Sequence, residues 1–372
     1  MFSRRSAMLA AVGMAGAAVS GCAAVRPGSD GVPAAVGPAA TVSAVATGSP
    51  SVTSGPAATP VVTAPLTGEP VSSESALEHA AVAVKVSDVR SAHPQLGLNS
   101  ADIVFVEPNG ISYTRLCAVF HTHFPEFVGP VRSIRPVDVP LLSPLRPVFG
   151  NTAAAYWVMN YVNAHGADIE NLWSFKAGVH GTRAYYTMPG RAAVHSVFCR
   201  PDELRKLARK MKAPPAFPYL PFATGGEPPS TAASARGARR IAVPWGPADT
   251  FDTSYDYDEK TGRYLRNEPW GKHILADGER VVTDNVLIVR ARWKMDKIFV
   301  GRGAPDPVVS IVNGHGTFSY AHQGTCVKGP WTKGGTTDLF QFPLDDGSPL
   351  KLAPGRTFVE LPAVGAKVKI TA

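Results

Sequence analysis

Short, unbroken apolar runs dominate the first part of the chain that carries a structural pattern. Val82-Ala83-Val84-Lys85-Val86, Ile103-Val104-Phe105-Val106 and Leu116-Cys117-Ala118-Val119-Phe120 are rich in β-branched and aromatic residues. They are too short for helices and read as strands. The third does not alternate with polar residues, which predicts a strand inside a sheet, covered on both faces. Order is expected to begin near Leu77. Helical signals are weaker: Val139 to Leu145, broken by Pro144, and Pro201 to Met211, which opens with proline in the first turn and acids at the positive helix end. Past residue 239 the pattern turns to strands. Runs at Arg240–Val243, Tyr255–Tyr257, Val286–Val289, Val308–Val312, Phe318–Tyr320 and Thr357–Leu361 are separated by Gly, Pro and Asp turns. The pattern predicts an α+β protein: an N-terminal α/β-type domain with a mixed sheet over 76–223, then a mostly-β C-terminal domain over 240–372.

Two stretches lack such a pattern. Residues 224–239 carry Gly225-Gly226, Pro228-Pro229 and a Ser/Ala/Arg run, and are expected to be a linker or long loop. Residues 23–75 are Ala, Val, Pro, Ser, Thr and Gly with almost no charge or aromatic side chain. Such a segment cannot offset its ordering entropy by burial and is expected to be a disordered tether, with a reach of roughly 40 Å. Ahead of it, Arg4-Arg5 precede an apolar stretch and Val19-Ser20-Gly21-Cys22. This reads as an export signal over residues 1–22, of twin-arginine type, with Cys22 placed as in the lipobox of bacterial lipoproteins. The expected location is extracytoplasmic, lipid-anchored to the cell membrane through Cys22. Export by the general secretory route is the alternative.

Composition narrows the partners. The 372 residues are 45% hydrophobic and 18% charged, enough for two domains with a substantial core. Net charge is +8. Outside the cytoplasm, anionic lipid headgroups and wall polymers are the natural partners. No basic stripe interleaved with aromatics points to nucleic acid. Beyond the signal, no stretch is long and apolar enough to cross a bilayer. Cys117, Cys199 and Cys326 are widely spaced without a CxxC. Cys199 with Cys326 is a candidate disulfide, and three buried reduced thiols are the alternative.

The densest polar constellation is Gly129-Pro130-Val131-Arg132-Ser133-Ile134-Arg135-Pro136. Glycine and prolines stiffen the loop, and guanidinium forks take phosphate or carboxylate in bidentate fashion. Arg115 adds a third positive group. Structural carbonyl bonds or salt bridges are the alternative role for these arginines. Arg191 to Ser196 contributes Arg191 and His195, the candidate general acid or base; Ser196 adjoins it, but sequence adjacency makes no nucleophile–base pair. GxSxG, SxxK and HExxH are absent. His121 and His123 share a strand face, yet no third ligand stands nearby, so a solvated strand end is expected and neither metal nor cofactor is assigned. Asp102, Glu107, Asp138 and Asp168 are scattered, and carboxylate chemistry would need two of them to meet in space. Trp331, Lys333 and the turn Asp345-Asp346-Gly347 read as structural.

These residues resemble the YerB-like bacterial lipoproteins, a two-domain family of unknown function. The resemblance rests on Pro94-Gln95-Leu96-Gly97-Leu98, Ala101-Asp102-Ile103-Val104, Thr114-Arg115, Gly129 to Pro136, and Arg191 with His195, where Ser196 replaces the family's Asn. Tyr264-Leu265-Arg266, Asn285-Val286, Gly329 to Lys333 and Leu352 to Thr357 extend it over residues 80–362. The family's acids before Thr-Arg are matched here only by Glu107, with Val106 and Gly110 at the other places. The resemblance implies a lipid-anchored envelope protein and supplies no reaction. Ser133-Ile134-Arg135 also looks like an element of the LytR-CpsA-Psr phosphotransferases, but Pro136 stands where their magnesium-placing aspartate lies.

Three readings follow. The first is a binding or scaffolding module of the cell envelope that recognises an anionic wall polymer, a phospholipid-linked ligand or a cell-wall-synthesis protein through Arg115, Arg132, Ser133, Arg135 and Arg191. The second is an enzyme, a phosphotransferase or hydrolase, acting on wall polymers or polyprenyl-phosphate-linked precursors with His195 as acid/base. The third is an assembly protein whose polar loops only join its domains.

Overall fold

The unbroken apolar runs form the buried centre of a large mixed sheet. The computed structural model describes residues 62–110, 113–246, 251–294 and 307–372. The expected signal peptide, Cys22 and most of the expected tether lie outside the described residues. In chain order the strands are β1 (Val82–Ser87), β2 (Ile103–Asn109), β3 (Tyr113–Phe120), β4 (Val148–Gly150), β5 (Glu170–Asn171), β6 (Tyr185–Thr187), β7 (Val197–Cys199), β8 (Arg240–Pro244), β9 (Asp252–Asp258), β10 (Arg263–Glu268), β11 (Gly271–Lys272), β12 (Val282–Thr283), β13 (Asn285–Arg290), β14 (Arg292–Lys294), β15 (Val308–Ser310), β16 (Gly314–His322), β17 (Thr325–Lys333), β18 (Thr357–Glu360) and β19 (Lys369–Thr371). The α-helices are α1 (Asp138–Leu142), α2 (Tyr156–His165) and α3 (Pro201–Lys206).

The nine-stranded sheet has the order β17-β16-β13-β18-β2-β3-β1-β4-β5. β1, β2 and β3 pair antiparallel, whereas β4 and β5 extend the edge in parallel. β18 lies parallel between β13 and β2, with Thr357 opposite Ile103 and Glu360 opposite Val106. β1 is buried over all six residues, and β3 over all but Tyr113. Strands covered on both faces need apolar side chains on both, which is why these runs do not alternate. Lys85 is the exception, a fully buried lysine in the middle of β1.

A second sheet, β11-β10-β9-β8-β19 with β12 also on β10, is antiparallel throughout. Along β10, Tyr264, Arg266 and Glu268 point inward while Arg263, Leu265 and Asn267 are more exposed. This strand therefore carries a charged pair into the interior. β9 joins the two sheets: the Tyr255 ring lies 6.0 Å from that of Phe358, and its hydroxyl donates to Glu360 on β18.

The large sheet draws strands from both expected domains, 76–223 and 240–372: β18 from the second pairs with β2 from the first. Other expectations change. Order begins before Leu77: Ala64, Leu66 and Thr67 are buried, and Pro65 O accepts the N–H of Tyr219. Residues 224–239 do not bridge open space. Ser230 donates to Lys351 O, Ala238 donates to Gly324 O, and Ala238 is fully buried. α3 ends at Lys206 rather than Met211, because the Glu170 carboxylate captures the N–H groups of Arg209, Lys210 and Met211 at 2.7–2.8 Å. α2 was not legible: only Val158 and Val162 are buried along it, and Tyr156 is exposed. Cys117, Cys199 and Cys326 are free and buried, so Cys199 and Cys326 are not bonded. His121 is not at a solvated strand end: it is buried, with Nε2 at 3.0–3.1 Å from the carbonyls of Leu77 and His79.

Candidate functional site

The loop Gly129–Pro136 is held by backbone bonds to four separate stretches. Gly129 and Leu96 exchange both backbone bonds, at 3.0 and 3.3 Å. Ser87 donates to Pro130 O at 2.9 Å, Arg132 donates to Lys85 O at 2.9 Å, and Val131 donates to Val197 O at 2.7 Å. Ile134 donates to Ala153 O, and Arg132 O accepts the N–H of Thr152, both at 3.1 Å. Glycine is needed at position 129. Its φ is +152°, and an added Cβ would lie 2.9 Å from Cδ1 of Phe198. The guanidinium of Arg191 sits 5.0 Å from the centre of that same Phe198 ring.

Three of the side chains anticipated from sequence meet here. Arg132 Nη1 donates to Val194 O at 3.1 Å, immediately before His195. Arg191 donates to Ala92 O at 3.1 Å and also to Pro94 O. The His195 imidazole lies close enough to both guanidiniums to feel their charge. Burial first, then Arg132 and Arg191, hold its pKa below the ordinary histidine value, so it is neutral at pH 7. His195 Nε2 is 3.0 Å from Ser91 Oγ. Its Nδ1 and the Nε of Arg132 are buried without a hydrogen-bond partner among the described residues. The bonds that Arg132 and Arg191 make are to backbone carbonyls; neither meets a carboxylate among the described residues.

The other candidates flank this point. Arg115 is buried on β3 and donates from Nη1 to Ser133 O at 3.1 Å, bracing the loop from below. Ser133 thus contributes its carbonyl. Arg135 turns the other way, donating to Ile134 O and to Asn109 Oδ1 at 3.1 and 3.2 Å, yet it remains close enough to Arg132 to depress the latter's pKa after burial. Ser196 Oγ donates to Ala193 O, not to His195.

Two of the four scattered acids meet beneath the loop. Lys85 Nζ donates to Glu107 Oε1 and to Asp138 Oδ1, and all three side chains are fully buried. Burial, followed by the nearby Asp138, pushes the Glu107 carboxyl up to about 8, so it is protonated at neutral pH. One lysine then balances one carboxylate. Asp138 Oδ2 also accepts the Arg135 backbone N–H. The triad therefore fixes the loop at two points, through Asp138 to Arg135 and through the Lys85 carbonyl to Arg132. The remaining acids lie elsewhere: Asp102 accepts the N–H groups of His121 and Thr122, and Asp168 pairs with Arg146 at the surface.

Sequence reasoning missed Ser91, the Lys85 triad, and a convergence of Asp88, His93, Glu268 and His273, whose donor atoms all lie within 4.8 Å of one another. Signals for two of these were present. A lysine inside an unbroken apolar strand needs buried partners, and Arg266 and Glu268 fall in phase with buried Tyr264 along β10.

Residues 66–214 match the family model described as "Protein of unknown function (DUF3048) N-terminal domain", and residues 241–359 match the corresponding C-terminal domain. The chain is 27% identical over 304 residues to the Bacillus subtilis strain 168 protein described as "Putative lipoprotein YerB", covering 80% of this chain and 85% of that protein. The crystal structure of YerB protein from Bacillus subtilis has the same fold, with a TM-score of 0.69 at 23% identity over 83% of this chain and 99% of the other. Among the described residues no helix is long and apolar enough to cross a membrane. The chain belongs to the two-domain DUF3048 family, the YerB-like lipoproteins.

Proposed function

We propose that this protein is a lipid-anchored binding module of the cell envelope, and that the face formed by Arg132, Arg191 and His195 receives an anionic group of phosphate type. The observation that carries this reading is charge without a counter-ion. Two guanidiniums flank a neutral imidazole, Arg132 projecting from a loop fixed by backbone hydrogen bonds to four separate stretches, and among the described residues neither guanidinium has a carboxylate partner. Arg135 adds to the positive field. Guanidinium groups held in place by their surroundings lose little entropy when they bind a phosphate. Anionic wall polymers and polyprenyl-phosphate-linked precursors present such groups outside the cytoplasm.

A thermal-shift screen of the full chain in detergent tests this with inorganic diphosphate, a polyprenyl phosphate, wall-polymer fragments and a neutral glycan. At a hundredfold excess over Kd, a ligand of the folded state adds about 2.7 kcal/mol. The melting temperature is expected to rise with the phosphate-bearing ligands and to stay fixed with the glycan. Equal shifts with both would refute recognition by charge.

One observation favours a second reading, an enzyme. Ser91 Oγ lies 3.0 Å from His195 Nε2, the separation of a nucleophile–base pair. No third group orients the ring, since Nδ1 has no partner among the described residues. On this reading Ser91→Ala abolishes turnover of a phosphate-linked substrate while leaving its binding intact. Retained turnover would remove Ser91 from the chemistry.

A further inference from the structure

The loop that leads from β1 to residue 95 faces a second cluster on its other side. Asp88 Oδ2 accepts from Thr114 Oγ1 at 2.5 Å and from Arg266 Nη2 at 2.9 Å, and Asp88 Oδ1 lies 3.4 Å from His93 Nε2. Arg266 Nη1 donates to Glu268 Oε1 and is 2.7 Å from His273 Nδ1. His273 Nδ1 is 3.3 Å from Glu268 Oε1, while its Nε2 is 2.7 Å from Gln95 Oε1. Since Nδ1 faces an arginine donor, it is the acceptor nitrogen, and Nε2–H donates to Gln95.

Simple ion pairing leaves charge over. Glu360, fully buried on β18, also lies in the field of Arg266. Asp88, Glu268 and Glu360 thus surround one guanidinium. Glu268 Oε2 and Glu360 Oε2 are buried with no hydrogen-bond partner among the described residues. Three carboxylates against one guanidinium leave two negative charges in a dry interior, which either protons or a divalent cation must offset.

We propose that Asp88, His93, Glu268 and His273 form a binding site for a divalent transition metal of zinc type. Two imidazole nitrogens and two carboxylate oxygens suit zinc rather than magnesium or calcium, which prefer all-oxygen sets. Ligands about 2.0–2.2 Å from a tetrahedral zinc stand about 3.3–3.6 Å apart. The His93–Asp88 and His273–Glu268 pairs already have separations of 3.4 and 3.3 Å. Gln95 supplies the outer bond that fixes the tautomer of a ligating histidine. His93 is only 11% exposed and lies at the outer edge of the cluster, and Glu268 borders a surface pocket of about 580 Å³ with Asp252, Asp256 and Lys272. Arg266 and Gln95 hold the ligands together when no metal is bound: Gln95 Nε2 donates to Asp88 Oδ1 at 3.0 Å and lies 3.3 Å from His93 Nε2, contacts it gives up on metal entry. On metal entry Arg266 gives up its Nη1 bonds to Glu268 and His273 and keeps Asp88 and Glu360 as counter-ions. The site adjoins the anion-binding face, because the carbonyls that Arg191 grips, Ala92 and Pro94, flank His93.

The test uses the full chain in detergent after treatment with a chelator, titrated calorimetrically with zinc, manganese and magnesium chlorides. One zinc per chain is expected, with magnesium at least a hundredfold weaker. His93→Ala is expected to weaken zinc at least tenfold. Glu268→Gln should do the same, and its near-identical shape keeps the test open if the histidine variant does not fold. Cobalt substitution should give the intense visible bands of a four-coordinate site in the parent protein and not in either variant. Arg132→Gln should leave zinc affinity unchanged, which separates this site from the anion-binding face. Absence of zinc binding, or zinc binding that survives both ligand substitutions, would overturn the proposal and leave Arg266 as the permanent counter-ion of the cluster.

Discussion

Replacing Lys85 with Met is expected to cost about 3–5 kcal/mol of folding stability, the range found when one partner of a buried ion pair is removed. Lys85, Glu107 and Asp138 are all inaccessible to solvent, so the single negative charge left on the carboxyl pair cannot hydrate. Chemical denaturation at neutral pH measures the loss. The effect should reach function as well, because Asp138, which Lys85 holds in place, anchors the loop through the Arg135 backbone N–H. Stability should also depend on pH in one direction. The Glu107 carboxyl, near 4.5 in the unfolded chain, is raised to about 8 in the fold. Its contribution is fully present below about pH 4.5 and is lost as the pH rises through 8. Glu107→Gln, neutral at every pH, should flatten that decline between about pH 4.5 and 8. An unchanged decline would place its origin elsewhere.

Arg132→Gln combined with Arg191→Gln is expected to weaken binding of a phosphate-type anion at least about a hundredfold. Each charge-assisted hydrogen bond contributes about 1.5–3 kcal/mol, and the pair removes two such donors. The fold should tolerate the change, since both side chains are only half-buried and glutamine keeps a donor for the carbonyls they meet. Arg115→Gln should act differently. Arg115 is buried and braces Ser133, so its loss should lower the melting temperature as well as the affinity. Calorimetry on folded variants separates the two effects, and an affinity unchanged in the double variant would exclude this face as the anion site.

The strands of the large sheet were legible because double burial demands uninterrupted apolar runs, as β1, β2 and β3 display. What the runs could not reveal was their neighbours. β18 sits between β13 and β2, a pairing between residues about 250 positions apart that joins the two expected domains. The arginine loop was visible through its glycine, prolines and spaced arginines, and its proximity to His195 followed from folding alone. Arg135 looked equivalent to Arg132 by spacing, but the loop path turns it toward Asn109. α3 was read too long because Glu170, nearly 40 residues earlier, competes for the backbone that would have continued the helix. The Asp88 cluster was invisible for a related reason: its members come from a loop after β1 and from β10 with its following turn, and no local spacing links them.

The central claim is that an anion enters between Arg132 and Arg191 beside His195. The most direct measurement is the pKa of the His195 ring by nitrogen-edited NMR, with and without sulfate, an anion whose own charge is constant over the range. Burial and the two guanidiniums hold that pKa below the usual histidine value in the free protein. A bound anion offsets the guanidinium charge, so the pKa should rise, and by linkage sulfate should bind more tightly as the pH falls between the two values. A His195 pKa indifferent to saturating sulfate, or sulfate that binds without perturbing the ring, would contradict the account.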